Sequence, residues 1–181
     1  GAAAACAPGA LRSGSATVPT WSGKALAPVS FNLTLDAAPA GGLATMRLSG
    51  PASAWFGVGL NAAVMADSPY TIVVNASGVH ERKIGTCGSE AEHCAGDALA
   101  RSVTVVSDVE ADGVRSVVLT RPFKGLSPKH HTFDPALDAT LKVITAVGTS
   151  HEFAYHAGHA SAVLALLAPA GTPTCLCSLG A

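Results

Sequence analysis

Val29-Ser30-Phe31-Asn32-Leu33-Thr34-Leu35 alternates apolar and polar side chains over its whole length. A period of two puts Val29, Phe31, Leu33 and Leu35 on one face of a strand and Ser30, Asn32 and Thr34 on the other. Such a strand is half-buried, with a core on one side and water on the other. Pro39-Ala40-Gly41-Gly42 then reads as a turn, and Ala44, Met46 and Leu48 repeat the alternation in a return strand. Gly50-Pro51 ends that strand.

Beyond the break, Trp55-Phe56-Gly57-Val58-Gly59-Leu60-Asn61 places Phe56, Val58 and Leu60 on one face and leaves the other bare at Gly57 and Gly59. Glycine weakens a strand unless something must approach its backbone closely. A flat apolar ligand lying on the glycine face and touched by Met65 would account for the pair; so would sheet-on-sheet packing. A short connection carries Met65, Ser68-Pro69 turns the chain, and Tyr70-Thr71-Ile72-Val73-Val74 is an almost wholly apolar strand that ends at Asn75.

Working outward, Ser77-Gly78 is a turn and Val79–Ile84 a charged, exposed strand, followed by a cysteine-bearing loop over 85–100. Residues 103–109 and 114–121 form a hairpin about Ala111-Asp112-Gly113, and Pro122 opens a long loop over 122–138. Leu141–Val147, Phe153–His156 and Ala162–Leu167 complete about nine short strands separated by turn residues, with no helical period. The fold class is all-β: an antiparallel β-sandwich, immunoglobulin-like in architecture. The reading divides the chain into an extended lead-in over 1–27, the sandwich over 28–168, and a cysteine-containing tail over 169–181 that leads into a further module.

Across 181 residues, 49% are hydrophobic and 13% charged, which suits one domain with a substantial core and excludes disorder. A formal charge of −1 leaves no electrostatic footprint for nucleic acid or an anionic membrane. Lys124, Lys129, His130 and His131 make a small basic patch that reads as a solvated loop. No apolar run approaches the ~20 residues of a membrane span. The start, Gly1-Ala2-Ala3-Ala4-Ala5-Cys6, has no basic residue leading a hydrophobic core and reads as a mature end rather than a signal peptide.

Of the five cysteines, Cys87 and Cys94 bracket a polar loop suited to a local disulfide, and Cys6 could staple the termini through Cys175 or Cys177. One cysteine then remains for a partner elsewhere. Cys175-Leu176-Cys177 is too tight for the usual zinc-ligand spacing. Two acceptor sequons, Asn32-Leu33-Thr34 and Asn75-Ala76-Ser77, point the same way, to glycosylation and an oxidising extracellular or cell-surface setting. No Gly-x-Ser-x-Gly elbow, phosphate loop or His-Glu-x-x-His motif occurs, and Asp134 and Asp138 have no partner acid. Catalysis by this domain alone is not expected.

Several stretches line up in order with one pattern: Trp55 to Asn61, Met65-Ala66-Asp67, Tyr70 to Val74, Val118-Leu119-Thr120-Arg121-Pro122, Thr132-Phe133-Asp134, Ile144-Thr145-Ala146-Val147-Gly148 and Tyr155-His156. Together they resemble the DOMON domain over roughly residues 28–168. That family of extracellular β-sandwiches includes haem-b cytochrome modules and sugar-binding or regulatory modules. The resemblance implies that Met65 and a late histidine ligate haem iron axially. His156 matches the second position best, with His159 as the alternative.

Trp55, Gly57, Gly59, Tyr70, Phe153 and Tyr155 would supply the slot, with the haem between the two sheets. A Met/His pair leaves no open coordination position, which suits electron transfer and a raised potential. Against this stand blander readings. Methionine is a common core filler, as Met46 is here. His80, His93, His130 and His131 read as solvent-exposed. His156 and His159, three apart, would face opposite sides of a regular strand. Alternatively, residues 155–159 could wrap around a small metal ion with His151 nearby. The other function class is a non-haem extracellular interaction or structural module that binds carbohydrate or protein. With aromatics at 5%, the sequence does not advertise a sugar-binding platform.

Overall fold

The computed structural model describes residues 12–18, 29–37, 40–85, 94–134 and 140–166, and for 12–18 only the backbone course. The strands are β1 (Arg12–Val18), β2 (Val29–Asp36), β3 (Leu43–Pro51), β4 (Phe56–Leu60), β5 (Tyr70–Asn75), β6 (Gly78–Lys83), β7 (Asp97–Ala98), β8 (Thr104–Ala111), β9 (Val114–Pro122), β10 (Thr140–Val147) and β11 (Gly158–Ala165). They form two sheets, ordered β1-β2-β3-β9-β8 and β11-β10-β4-β5-β6-β7, with every pairing antiparallel. The molecule is an all-β sandwich, as the alternation at 29–35 requires.

The core lies where the period of two puts it. Phe31, Leu33, Leu35, Met46 and Leu48 of one sheet meet Phe56, Val58, Leu60, Ile72 and Val143 of the other, all essentially without exposure. Each such side chain contributes about 1.5–3 kcal/mol on burial, so this face dominates the stability. Among the described residues no helix is long and apolar enough to cross a membrane.

Three expected elements are corrected. Residues 12–18, assigned to an extended lead-in, form an edge strand paired with β2 from Arg12↔Leu35 to Val18↔Val29. Arg12-Ser13-Gly14-Ser15-Ala16-Thr17-Val18 has no apolar period to mark it as a strand in the sequence. Phe153–His156 is a loop, not a strand, and the last strand starts at Gly158 rather than Ala162. The aromatic residues that suggested a strand are held by ring contacts: Phe153 meets Trp55 edge-on at 4.9 Å, and Tyr155 stacks on His156 at 4.6 Å. The charged strand β6 is half-buried rather than exposed, and its Glu81 lies in the interior.

The end of β10 is locked to the start of β4. Gly148 N–H donates to the Trp55 carbonyl and Trp55 N–H to the Ser150 carbonyl, each at 2.8 Å. A Cβ on Gly148 would lie 2.1 Å from Trp55 Nε1 and 2.3 Å from its Cδ1. Gly148→Ala is therefore expected to cost about 1–3 kcal/mol by overpacking. Urea unfolding should show this as a lower midpoint with an unchanged slope; an unchanged midpoint would reject it.

One end of the sandwich encloses polar groups. Arg121, 1% exposed, lies 5.1 Å from the ring centres of both Tyr70 and Phe133. It donates to the carbonyls of Pro122 at 3.1 Å, Phe123 at 3.2 Å and His131. The Glu81 carboxylate accepts Tyr70 O–H, Ser102 O–H and Ser102 N–H, each at 2.5 Å, and Val103 N–H at 3.0 Å. Burial alone would raise the Glu81 pKa, but the hydrogen bonds from Ser102, Tyr70 and Val103 together bring it below the usual carboxylate value. Burial, and then the Glu81 charge, push the Tyr70 phenol up. His130 is buried here, against expectation: Nδ1 pairs with Ser127 Oγ and Nε2 donates to the Ala100 carbonyl, both at 2.9 Å.

Candidate functional site

The strands β4 and β5 are buried on both faces. Gly57, Gly59, Thr71 and Val73 point away from the core, yet Val73 is only 1% and Thr71 5% exposed. Something must cover the outer face of the six-stranded sheet. Residues from the connection after β4, the Cys94-Ala95 segment and the loop between β10 and β11 do so, and under them lies a cavity of about 900 Å³. The sandwich interior, by contrast, is filled by side chains, so the slot expected between the sheets is absent among the described residues and the cavity lies on this outer face instead.

Strand register fixes the floor. His159, Ala146, Gly57 and Val73 form one cross-strand row; Ser161, Ile144, Gly59 and Thr71 form the next. The glycines themselves answer to the chain's own packing. A Cβ at Gly59 would meet Ile144 Cγ1 at 2.8 Å and Pro69 Cγ at 3.0 Å, and one at Gly57 the Ile72 carbonyl oxygen at 2.8 Å. The cavity extends over both, but neither is bare for lack of a neighbour. Nor is the crowding sheet-on-sheet, since it comes from within the same sheet and its cover.

Met65 reaches the cavity from a short 3-10 turn, Met65–Asp67. Asn61, at φ 58°, ends β4 in the left-handed region that Asn tolerates. The Asp67 carboxylate accepts the N–H groups of Ala63 at 2.8 Å and Val64 at 3.2 Å, which lowers its pKa and pins the turn. Gly85, at φ +120°, packs against that turn so closely that a Cβ there would lie 2.4 Å from the Met65 carbonyl oxygen. The thioether is half-buried, outside the core that holds Met46.

His156 and His159 both line the cavity, together with Trp55, Phe153 and Tyr155. The argument that residues three apart must face opposite ways fails because His156 precedes the strand. The two imidazoles lie 4.7 Å apart between ring centres, at 64°. His156 is half-buried and His159 exposed on β11. His151 is elsewhere, in a shallow hollow with Asp108, Glu110 and Arg115. Tyr70 is not at the cavity: even-numbered residues of β5 face the core, and its hydroxyl goes to Glu81.

Among the described residues, no Asp, Glu, Lys or Arg lines the cavity, and Trp55 Nε1 is buried at its wall without a hydrogen-bond partner. Arg82 stands beside it, 5.3 Å from the Phe153 ring centre, with its guanidinium on the carbonyls of Ala95 at 2.6 Å and Gly96 at 2.9 Å. Ile84, Val64 and Ala95 belong to this wall without any signal in the sequence, and Arg82 stands behind it. The available signal for a covered face was the almost wholly apolar run from Tyr70 to Val74, which puts Val73 on the face opposite the core. Cys94 is disulfide-bonded and also lines the cavity; Cys6, Cys87, Cys175 and Cys177 lie outside the described residues.

Among the described residues, no three His, Cys, Asp or Glu side chains gather as a metal site. Lys124 and Lys129 are exposed as expected, and with Lys83 they border a separate open cleft of about 600 Å³. These features define the molecule as a β-sandwich with a roofed apolar cavity on the outer face of its larger sheet. No family model matches the chain, and no curated protein matches it.

Proposed function

We propose that this chain is an extracellular electron-transfer module that holds haem b in the roofed cavity, with Met65 and His156 as axial ligands and His159 as the alternative to His156. The observation that carries the reading is that a thioether and an imidazole, distant in sequence, line one cavity whose described lining carries no Asp, Glu, Lys or Arg. The donor set suits haem iron, and the volume lies within the ~300–1,000 Å³ usual for cofactor and ligand sites. The resemblance to DOMON cytochrome modules points to the same ligands.

With both axial positions filled, the group would supply reversible one-electron transfer and no site for oxygen. The chain's own residues have separate tasks. Met65 and the histidine hold the group from the turn after β4 and the loop before β11. Trp55 and Phe153 exclude water, and Tyr155, largely exposed, stands at the rim. Arg82 provides a positive charge for carboxylates at the rim.

The setting belongs to the same proposal. Cys94 pairs with Cys87, Cys6 with Cys175 or Cys177, and the remaining cysteine with a neighbouring polypeptide. Asn32, exposed on the outer face of β2, and Asn75, where β5 turns into β6, carry glycans. The partner is a redox protein or an adjoining domain.

The test is the visible absorption spectrum of the protein isolated from its source or offered haem. A Soret band with sharp reduced bands is expected. Met65→Leu should keep the Soret band and the fold while changing the reduced spectrum and lowering the potential. Absence of any Soret band after haem is offered sinks the proposal and leaves the interaction module in its place.

A further inference from the structure

The haem reading employs one histidine, yet two imidazoles stand side by side at the cavity, His156 and His159, with ring centres 4.7 Å apart. Only one of them can occupy an axial position opposite Met65, so the second is left without a task. Their spacing is that of two ligands to one small ion. His151, the third histidine of this stretch, lies away with Asp108 and Arg115 and cannot complete a three-histidine site.

The donor chemistry then decides which ion. Among the described residues, no carboxylate or free thiolate lines this cavity, and no three His, Cys, Asp or Glu gather. Zinc is held by three or four nitrogen, oxygen or thiolate donors, so two neutral imidazoles serve it poorly. The thioether of Met65, half-buried in the same cavity, is a soft donor. Soft sulfur with imidazole selects monovalent copper, which also accepts low coordination numbers and an apolar surrounding.

The geometry points to a cuprous-ion site formed by His156, His159 and Met65 in the haem-free protein. It shares two side chains with the proposed haem site, so copper and haem exclude one another. It does not rest on the haem reading, and either can fail alone. An exposed His159 on the regular strand β11 and a half-buried His156 in the preceding loop would clamp the ion at the cavity edge, with Met65 closing it from the 3-10 turn.

The experiment is an anaerobic titration of the haem-free protein with Cu(I), read by competition against a chromogenic cuprous chelator. One ion per chain is expected, with Zn(II) bound on the order of 100-fold more weakly. His156→Ala and His159→Ala should each abolish binding, and Met65→Leu should weaken it about tenfold or more. Circular dichroism confirms that each variant is folded; His159, being exposed, serves as the variant least coupled to the fold. Haem-loaded protein should take no copper. Failure to bind Cu(I), survival of binding in either histidine variant or unchanged in Met65→Leu, or zinc held as tightly, each overturns the site. A protein that takes copper but never haem overturns only the haem reading.

Discussion

Arg121→Ala is expected to remove about 3–5 kcal/mol, much of a domain's usual ~5–15 kcal/mol. The guanidinium is 1% exposed and supplies the donors for three main-chain carbonyls, those of Pro122, Phe123 and His131. It also separates the rings of Tyr70 and Phe133, 5.1 Å from each. Alanine would leave a cavity between two aromatic rings and remove the guanidinium donors from those carbonyls, of which Phe123 keeps the N–H of Phe133. One effect works the other way. Arg121 Nη1 is buried without a partner, and its removal relieves a cost of about 1–3 kcal/mol. The cavity and the lost hydrogen bonds outweigh that relief.

Arg121→Met separates the two contributions. It fills most of the volume but donates nothing, so it should recover part of the loss and leave about 1–3 kcal/mol for the carbonyls. Denaturant unfolding of the three proteins measures the series. If Arg121→Ala unfolds within 1 kcal/mol of the parent, on the order of one ordinary surface substitution, Arg121 is not the tie that holds residues 122–133 to the core.

How much of this was legible in the sequence follows from what each residue answers to. β2 and β3 could be read because one face meets a core and the other water, so each side chain reports its own environment. Trp55 to Val74 could be read as two strands for the same reason. What covers their outer face could not be read, because Thr71 and Val73 lie under loops whose docking no local pattern encodes. β1 was invisible because backbone pairing with β2 holds it and its side chains carry no period. His130 looked exposed beside Lys129 and His131, and is buried because Ser127 Oγ and the Ala100 carbonyl satisfy its ring.

The candidate site divides along the same line. Met65 stood out as a methionine outside any strand register, and the resemblance gave it a partner late in the chain. What could not be read was where they meet. The interior was the expected place, but Phe56, Val58 and Leu60 fill it against Phe31, Leu33 and Leu35. Tyr70 dropped out of the slot by parity alone, since Thr71 and Val73 take the outer face. Ala95 lines it, and Arg82 stands beside it, because the guanidinium of one binds the carbonyl of the other.

His156→Ala is expected to abolish haem binding, and His159→Ala to leave it intact. The two rings touch, so the distinction rests on their supports rather than on their distance from Met65. His156 is half-buried with Tyr155 stacked on one side at 4.6 Å and 28° and His159 edge-on at 4.7 Å, so its ring plane is fixed before any ligand arrives. A preset imidazole loses little freedom when it binds, and this is what holding a tightly bound group requires. His159 has the firmer backbone, in register with Ala146 on β10, but its side chain is exposed and held on fewer sides.

Titrating each variant with haem and following the Soret band gives the comparison. Loss of binding by His156→Ala of about 100-fold or more, beside a His159→Ala curve within a few-fold of the parent, is the expected pair. Tyr155→Ala should fall between them, since it frees the His156 ring without removing the ligand. If His159→Ala abolishes the band and His156→Ala does not, the axial imidazole comes from β11 and the stacked pair Tyr155–His156 is its cover. If both variants bind haem as the parent does, neither histidine is a ligand, and the Met65/histidine pairing is wrong.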